Sequence, residues 1–428
     1  MNAAQGGKAP ETPAGGEGGE PPYWQRTLWT MVGVQFVMSI AFSILSPIMP
    51  LFLPELGVLS PQAVDVWAGV LASITSFVAI FTAPIWGSLS DRYGRKLMVL
   101  RSTLGISIFT MLMAVALSPW HMLALRAGMG ALAGFNSAAT VLVSTQVPEH
   151  RLGYSLGWLG TGQLVGSLIG PVIGGVVADV TGSYRVPFVF AGAISLIAFL
   201  GTWRFVPERF TRPAKGRQRR SLMAALSILT RTRGLVPLIV VMLMAQFATQ
   251  AVQPVVTLFV QEMLGSRPDL ATLGGLAFSV TGLAGVLAVP FLGKRSDVIG
   301  YRVVLLISLL GAALFTAPQA LPFGYWAFVV ERFGLGLFVG GILPAANALI
   351  GRLTTPASRG FVYGMVSSAY FIGNTLGPLT GGVVAATVGI NWVFAVTAAL
   401  LFANLLWVYF AVPEAGGETR NGMVEPGV

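Results

Sequence analysis

Twelve apolar stretches, separated by short polar segments, occupy most of the chain. Each is close to the roughly 20 residues that an α-helix needs to cross a bilayer. The pattern predicts twelve membrane-spanning helices, and the longest of them imply tilt or extension beyond the hydrocarbon layer. The predicted spans are residues 28–54, 64–86, 97–117, 120–147, 153–180, 185–206, 236–262, 270–293, 302–319, 323–351, 360–388 and 391–412.

The composition separates the chain from soluble proteins. Of its 428 residues, 54% are hydrophobic and only 10% are charged, whereas a typical soluble domain has about 25% charged residues. The chain is therefore predicted to be a polytopic membrane protein rather than a soluble domain with an anchor. It has no cysteine, which excludes disulfides, thiolate metal sites and thiol nucleophiles. No metal and no cofactor is expected.

Positive charge is distributed unevenly about the predicted spans. The chain has 26 Lys and Arg residues and a formal net charge of +10. These bases lie on the side of the two termini, except for Arg126, Arg185, Arg267 and Arg332. The positive-inside rule then predicts a multi-pass protein of the inner (plasma) membrane with both termini in the cytoplasm. Bases beside membrane helices suit anionic lipid head groups, so membrane lipids are expected partners and nucleic acid is not.

The polar segments divide the chain into five regions. Residues 1–24 are predicted to be a disordered cytoplasmic tail, and they lack the basic and apolar regions of a signal peptide. Residues 25–206 and 236–412 each contain six predicted spans, and residues 413–428 form a second cytoplasmic tail. The basic cytoplasmic linker, 207–235, contains the sequence KGRQRR. We expect it to be a tether on the inner leaflet, with a regulatory site as the alternative.

The two halves repeat each other with an offset of 206 or 207 positions. This nearly constant offset over six helices indicates a duplicated six-helix unit. The pairs that show it include Arg126/Arg332, Gly130/Gly336, Gly170/Gly377, Pro171/Pro378 and Pro207/Pro413.

Residues 87–96, GSLSDRYGRK, form a distinctive polar segment. We predict a short loop between the second and third helices, where glycine permits the turn. Asp91 is placed to cap the following helix or to face another helix N-terminus. A basic inner loop is common in membrane proteins, but that does not explain why residues 293–302 repeat the spacing. The copies share Gly87/Gly293, Asp91/Asp297 and Gly94/Gly300.

This segment resembles the signature loop of the major facilitator superfamily. The residues that carry the resemblance are Gly87, Leu89, Asp91, Arg92, Gly94, Arg95 and Lys96. The resemblance implies an all-α membrane protein with twelve transmembrane helices in two pseudo-symmetric six-helix halves. It further implies a monomer that works by alternating access, in which this loop takes part in gating.

A second pattern lies in the fifth predicted helix and returns in the eleventh. It reads Gly-Pro-x-x-Gly-Gly after glycines at every fourth position, which makes a stripe for close helix packing. Ordinary small-residue packing explains the glycines but not the identical copy. The fifth-helix pattern resembles the motif of the drug:proton antiporter branch and implies export, although its presence in both halves departs from that branch. Candidate gating residues are Gly87, Asp91, Arg92, Gly94, Arg95, Lys96, Asp297, Gly166, Gly170, Pro171, Gly174, Gly377 and Pro378.

Three charged residues are candidates for a proton or charge relay. Arg126, with Gly130 and Ala133, resembles the family's RxxxGxxA pattern, and Arg332 is its counterpart. Arg126 is expected to face the cavity or a partner, with a structural salt bridge or snorkelling as the alternative. Glu331 lies inside helix ten and is expected to be neutral, or paired with Arg126 or Arg332. It could carry the proton or form a fixed ion pair; proton coupling is implied only by the resemblance.

The resemblance also implies a central cavity lined by helices one, four, seven and ten. Polar residues there follow helical spacing, and flanking helices add aromatic and amide groups. Such a surface suits bulky amphipathic or cationic compounds, although hydrogen bonds between helices would explain any single member. The candidates are Gln35, Ser39, Phe42, Asn136, Trp158, Gln246, Gln250, Gln253, Asn347, Tyr370 and Asn374.

Together these features predict a secondary active exporter of small amphipathic or drug-like molecules, coupled to proton antiport, and not an enzyme. No GxxxxGK[ST] motif is present, so ATP is not the expected energy source. One alternative is a lipid or glycolipid flippase or exporter, because Arg126 could meet an anionic head group. The other is a non-transporting membrane sensor or scaffold, against which the duplicated gating motifs argue.

Overall fold

The computed structural model describes residues 23–208, 232, 234–321, 323–355 and 358–413, with the side chain of Asp91 outside that description. Within these residues every regular element is helical. The predicted tails, 1–24 and 413–428, lie outside the described residues except for Tyr23 and Trp24, which belong to the first helix, and Pro413. The basic sequence at 215–220 also lies outside them. The five predicted regions therefore remain predictions.

In the part of the chain that the structure describes, twelve helices are long and apolar enough to cross a membrane, which agrees with the predicted number. We number them α1–α12; α4 and α7 each consist of two segments. Their bounds are Tyr23–Phe52 (α1), Pro61–Tyr93 (α2), Arg95–Met113 (α3), Pro119–Ala131 and Phe135–Gln146 (α4), Leu152–Thr181 (α5), Val186–Phe205 (α6), Leu235–Ala251 and Val256–Leu264 (α7), Leu270–Ile299 (α8), Tyr301–Thr316 (α9), Tyr325–Leu353 (α10), Arg359–Val388 (α11) and Ile390–Ala411 (α12).

The prediction of a loop at 87–96 was wrong. Helix α2 continues through most of this segment and ends at Tyr93, and α3 begins two residues later at Arg95. The break is confined to Gly94, whose φ of 99° lies in a region that residues with a Cβ avoid. Gly300, with φ of 94°, separates α8 from α9 in the same way.

A carboxylate other than Asp91 caps α3. Glu208, just after α6, accepts hydrogen bonds from the backbone N–H groups of Arg95 (2.6 Å) and Lys96 (3.1 Å). The first N–H groups of a helix have no partner within it, and an anion is favoured there. Glu208 thus ties α3 to the end of α6 inside the N-terminal half. The backbone of Asp91 lies within α2, and its gating role remains a prediction.

Helices α4 and α7 are interrupted near the middle of the bundle. Gly134, with φ of 114°, begins the second segment of α4, and Pro254 lies in the short turn that splits α7. Carbonyl groups freed by the break in α4 are met by side chains, as a membrane interior requires. Trp86 Nε1 donates to the Ala131 carbonyl (2.7 Å), and an Arg101 amino group donates to the Ala133 carbonyl (2.9 Å).

Equivalent helices pack together in the two halves. In the N-terminal half α1 packs on α5 and α6, and α3 packs on α6; in the C-terminal half α7 packs on α11 and α12, and α9 packs on α12. Two further contacts, α5 with α8 and α2 with α11, join the halves, and we call them the α5/α8 seam and the α2/α11 seam. We call the end of the bundle at Gly94 and Gly300 the basic side, and the other end the far side.

The four seam helices are crowded toward the far side and open toward the basic side. An added Cβ at Gly175 of α5 would collide with the backbone of Ala271 in α8, and one at Gly382 of α11 would meet Asp65 of α2. Nearer the basic side, an added Cβ would meet nothing within 4 Å. This holds at Gly87, Gly157, Gly293 and Gly364. The structure is therefore closed on the far side and open to the basic side.

Candidate substrate cavity and gate

A central cavity lies between the halves and has two lobes. The N-lobe, about 400 Å³, is lined mainly by α1, α2, α4 and α5. The C-lobe, about 520 Å³, is lined mainly by α7, α8, α10 and α11. Gln250 and Gln253 line both lobes, at the interruption of α7. The lobes together are large enough for a drug-sized molecule.

Seven of the predicted cavity residues line these lobes. Those in the N-lobe are Ser39, Phe42 and Asn136, and those in the C-lobe are Gln246, Gln250, Gln253 and Tyr370. Two glutamines of α7 are oriented from behind, because Asn374 Oδ1 accepts Nε2–H groups of Gln246 (2.8 Å) and Gln250 (2.7 Å). The buried Gln35 similarly donates to Asn136 Oδ1 (2.9 Å). Gln35 and Asn374 therefore position lining amides.

Trp158 and Asn347 lie elsewhere. Trp158 packs edge-on against Trp29, with ring centroids 5.1 Å apart, and lines neither lobe. Asn347 lines a separate, open pocket with Arg352 and Arg359 near the basic side. Neither residue lines the central cavity, and their predicted place in it was wrong for this conformation.

Each lobe contains one arginine, and the two are related by the repeat. Arg126 donates from a terminal nitrogen to the Leu71 carbonyl of α2 (2.7 Å), and its buried Nε has no partner among the described residues. Arg332 is buried and donates from Nε to the Ala277 carbonyl of α8 (3.3 Å). A backbone carbonyl accepts a hydrogen bond from each guanidinium, and neither guanidinium is paired with a carboxylate among the described residues.

The described lining residues of both lobes include no Asp or Glu. Glu331 is half-buried and lines neither lobe. Within the described part of the chain it forms no ion pair with Arg126 or Arg332; the ion pairs found there are Arg185–Glu55 and Arg267–Asp269. The cavity therefore carries net positive charge, and Glu331 as a relay residue remains a prediction.

The glycine stripes of α5 and α11 pack inside their own halves. A Cβ at Gly166, Gly170 or Gly174 would collide with backbone carbonyls of α1, and one at Gly377 or Gly381 with those of α7. Such contacts allow the backbones to approach closely. Gly166, Gly170, Gly174 and Gly377 thus hold each half together rather than joining the halves.

The residues next to the stripes form the seams. The Pro171 carbonyl lies against Gly275 of α8, and the Pro378 carbonyl lies against Gly69 of α2. Gly175 and Gly382 complete the two contacts. Gly69 and Gly275 were not among the predicted gating residues, although the 206-residue offset between them is a signal that could have identified them.

Comparison with known proteins decides the family. The sequence model described as Major Facilitator Superfamily matches residues 31–285 and, again, residues 238–426. The chain belongs to the Major Facilitator Superfamily. The two overlapping matches agree with a duplicated chain, and members of the superfamily are transporters that bind small molecules and are typically monomeric. The twelve apolar helices and the family together indicate a multi-pass inner-membrane protein. The family and its relatives indicate a transporter rather than an enzyme.

Among curated relatives of this facilitator is the Multidrug resistance protein MdtG of Proteus mirabilis (strain HI4320). The two are 39% identical over 393 residues, which cover 91% of this chain and 97% of the relative. The protein of the same name from Serratia proteamaculans (strain 568) is 38% identical over 402 residues, covering 94% and 97%.

Solved structures share the fold at low sequence identity. A bacterial homologue of the human lysosomal transporter Spinster, inward-facing and occupied, superposes with a TM-score of 0.73 at 16% identity, covering 92% of this chain and 97% of that one. The nucleoside transporter NupG gives 0.72 at 14%, covering 90% and 99%.

The signature segments of this facilitator make contacts within their own halves. Lys96 Nζ donates to the Trp203 carbonyl of α6 (3.0 Å), and the Tyr301 hydroxyl donates to Asp297. Gly87 and Gly293 face open space. The gating role of the two segments therefore remains a prediction.

Proposed function

We propose that this facilitator exports small amphipathic molecules by alternating access, driven by proton antiport. The observation that carries the proposal is a central cavity closed at one end and open at the other by the same four helices. A scaffold does not need such a difference between the two ends. The relatives named Multidrug resistance protein MdtG support the choice of export.

The basic side is proposed to be cytoplasmic, with both termini on it, because Arg and Lys concentrate there. The open cavity would then load from the cytoplasm or the inner leaflet. Release would follow when the far side opens and the basic side closes.

The charge of the cavity indicates the substrate class. Arg126 and Arg332 each contribute a cation, while Phe278 and Val286 of the C-lobe contribute apolar surface. A guanidinium in a poorly solvated site favours an acidic or strongly dipolar group, and a purely cationic compound is disfavoured there. The expected substrates are therefore amphiphiles with an anionic or polar head. A flippase that moves an anionic lipid is the second candidate, supported by the same two arginines.

Transport in proteoliposomes tests this proposal. Two amphiphiles with the same hydrocarbon skeleton, one acidic and one cationic, are followed with and without a pH gradient and without ATP. We expect gradient-driven transport of the acidic compound. Absence of transport for both compounds would contradict the export part of the proposal. Transport at the same rate with and without the pH gradient would contradict the antiport part.

Substitution of the two arginines tests the substrate class. Arg126→Gln combined with Arg332→Gln is expected to raise KM for the acidic compound about tenfold or more, because hydrogen bonds to charged groups are lost. Arg204→Gln removes an exposed cation near the basic side and is expected to leave KM unchanged. Retention of the wild-type KM by the double variant would exclude the arginines from recognition. Loss of transport of a labelled anionic phospholipid, with small amphiphiles unaffected, would favour the flippase.

A further inference from the structure

A carboxylate of one half caps a helix of the other. Asp179 lies in the last turn of α5, and α8 of the opposite half begins beside it at Leu270. Asp179 accepts hydrogen bonds from the backbone N–H groups of Ala271 (3.3 Å, Oδ1) and Thr272 (2.7 Å, Oδ2). These belong to the first turn of α8, where N–H groups have no partner within the helix.

Asp269, the residue in the ordinary capping position, does not accept hydrogen bonds from these N–H groups. Asp269 precedes α8, but its side chain makes no capping hydrogen bond. Both of its oxygens instead accept from Arg267, at 2.8 and 2.9 Å, and the pair is exposed. The positive end of the α8 dipole is therefore met by an acid from the other half, through charge-assisted hydrogen bonds.

Asp179 is part of α5, which packs on α1 inside the N-terminal half. Arg185, just after α5, pairs with Glu55 (3.5 Å) and donates to the carbonyls of Ala114 (2.8 Å) and Ala116 (3.1 Å). Gly175, one turn before Asp179, lets α5 approach the start of α8. The carboxylate therefore moves with the N-terminal half, and its hydrogen bonds must break if α5 and α8 separate.

We propose that Asp179 is a positioning residue of the transport cycle, a latch that holds the far side closed and controls how often it opens. The inference rests on the proposed function, since it requires alternating access. In the far-side-open conformation the first N–H groups of α8 and the carboxylate would each bond to water. The latch thus biases the two-state equilibrium toward the conformation seen here.

The natural absence of cysteine makes the test direct. Cysteines are introduced in pairs to carry spin labels, one pair in each protein sample. Leu59 and Leu321 report on the far side, and Tyr93 and Val298 report on the basic side. All four positions are exposed, and each pair has one residue in each half. Distance distributions from double electron–electron resonance, measured on full-length protein in nanodiscs, give the fraction open on each side.

Asp179→Ala is expected to raise the far-side-open fraction about five- to tenfold, the scale of losing a helix cap. Asp179→Asn, which keeps an acceptor, is expected to lie between that variant and the wild type. Asp269→Ala is the matched control, because it removes an acid beside the same helix end without touching the seam. It is expected to leave both distributions unchanged.

Equal distributions for Asp179→Ala and the wild type would overturn the latch, as would an equal shift from Asp269→Ala. If Asp179→Ala yields no folded protein, the distance distributions of Asp179→Asn are compared with those of the wild type and of Asp269→Ala instead. Failure of the proposed function is a different result: transport would be absent in the wild type, and no substrate would change either distance. A wild type that transports and samples both conformations, with Asp179 variants unchanged, would remove the latch alone.

Discussion

The two seams between the halves share one frame and differ in what is added to it. In each, a proline carbonyl of one half lies against a glycine of the other, and a glycine one turn on meets the start of the opposing helix. The frame consists of Pro171, Gly175, Ala271 and Gly275 in the α5/α8 seam, and of Pro378, Gly382, Asp65 and Gly69 in the α2/α11 seam. The duplicated sequence therefore builds both seams to the same shape.

The α5/α8 seam has polar contacts across the halves that are not found among the described residues of the α2/α11 seam. Besides the Asp179 cap, the Ser279 hydroxyl donates to the Leu168 carbonyl across the halves. At the counterpart of Asp179 stands Ala386, and the counterpart of Ser279 is Ser73. The buried Ser73 hydroxyl has no partner among the described residues. Among the described residues, hydrogen bonds across the halves are thus found in one seam of the closed side, and the other seam is closed by packing.

The start of the helices explains why only one seam carries a cap. Relative to the repeat, α2 begins earlier than α8: Pro61 opens α2, while α8 begins at Leu270, the counterpart of Val64. Ser60 caps α2 one turn before the seam, through Ala63. The N–H groups that face α11 are already inside a helix, so an acid on α11 would find no free donor.

The largest expected effect comes from a bulky residue in the shared frame. Gly175→Leu would force α5 away from Ala271 and prevent the far side from closing. Transport of the acidic amphiphile is expected to fall about a hundredfold or more, as no cycle can finish without closure. Initial rates in proteoliposomes, normalised to folded protein, measure the loss.

Two leucine variants of α5 serve as controls. Gly157→Leu places the same side chain in open space and is expected to transport at nearly the wild-type rate. Gly170→Leu lies in the stripe against α1 and is expected to lower the yield of folded protein, because the clash is within one half. A Gly175→Leu variant as active as Gly157→Leu would show that the seam is not closed during transport.

A smaller effect is expected from the serine pair. Ser279→Ala removes a hydrogen bond across the α5/α8 seam worth about 1 kcal/mol, and should raise the far-side-open fraction about fivefold. Ser73→Ala removes an unsatisfied hydroxyl from the other seam and should leave that fraction nearly unchanged or lower it. The far-side label pair measures both, and equal responses would mean that the seams are equally strong.

Much of the fold could be predicted from the sequence because length and hydrophobicity alone define a membrane helix. The error at 87–96 has a local cause: a single residue, Gly94, ends α2, and polar residues before it remain helical. The repeat predicted two six-helix halves of the same build. The repeat could not predict the hydrogen bonds across the α5/α8 seam. Asp179 and Ser279 form them with helices that are about a hundred residues away in sequence.

The sequence predicted which helix faces line the cavity, but not how far along the helices the cavity extends. Helical spacing identified lining residues such as Gln246 and Asn136, yet the same spacing continues past the lobes to Asn347. Only the positions at which the halves converge define the ends of a cavity, and these depend on tertiary packing. The role of Asn374 as an acceptor for two lining amides likewise depends on a neighbouring helix.

The smallest expected effect reports the charge of Asp179 itself. Tyr184 lies in the loop after α5, and its pKa is raised first by burial and then by the charges of Asp179 and Glu55. Asp179→Ala should therefore lower the pKa of Tyr184 toward its usual value of about 10, whereas Asp269→Ala should not. The titration is read from tyrosinate absorbance, as the difference from the same protein carrying Tyr184→Phe.

The sign of the linked effect on stability follows from this shift. Because its pKa is raised, Tyr184 stabilises the folded state as the neutral phenol below the unfolded pKa, and this contribution is lost as the pH rises through the folded pKa. Asp179→Ala lowers the folded pKa alone, so the loss should become smaller and be complete at a lower pH. An unchanged Tyr184 titration would contradict an electrostatic effect of Asp179 on the Tyr184 phenol. It would leave the hydrogen bonds of the α5/α8 seam as its difference from the α2/α11 seam.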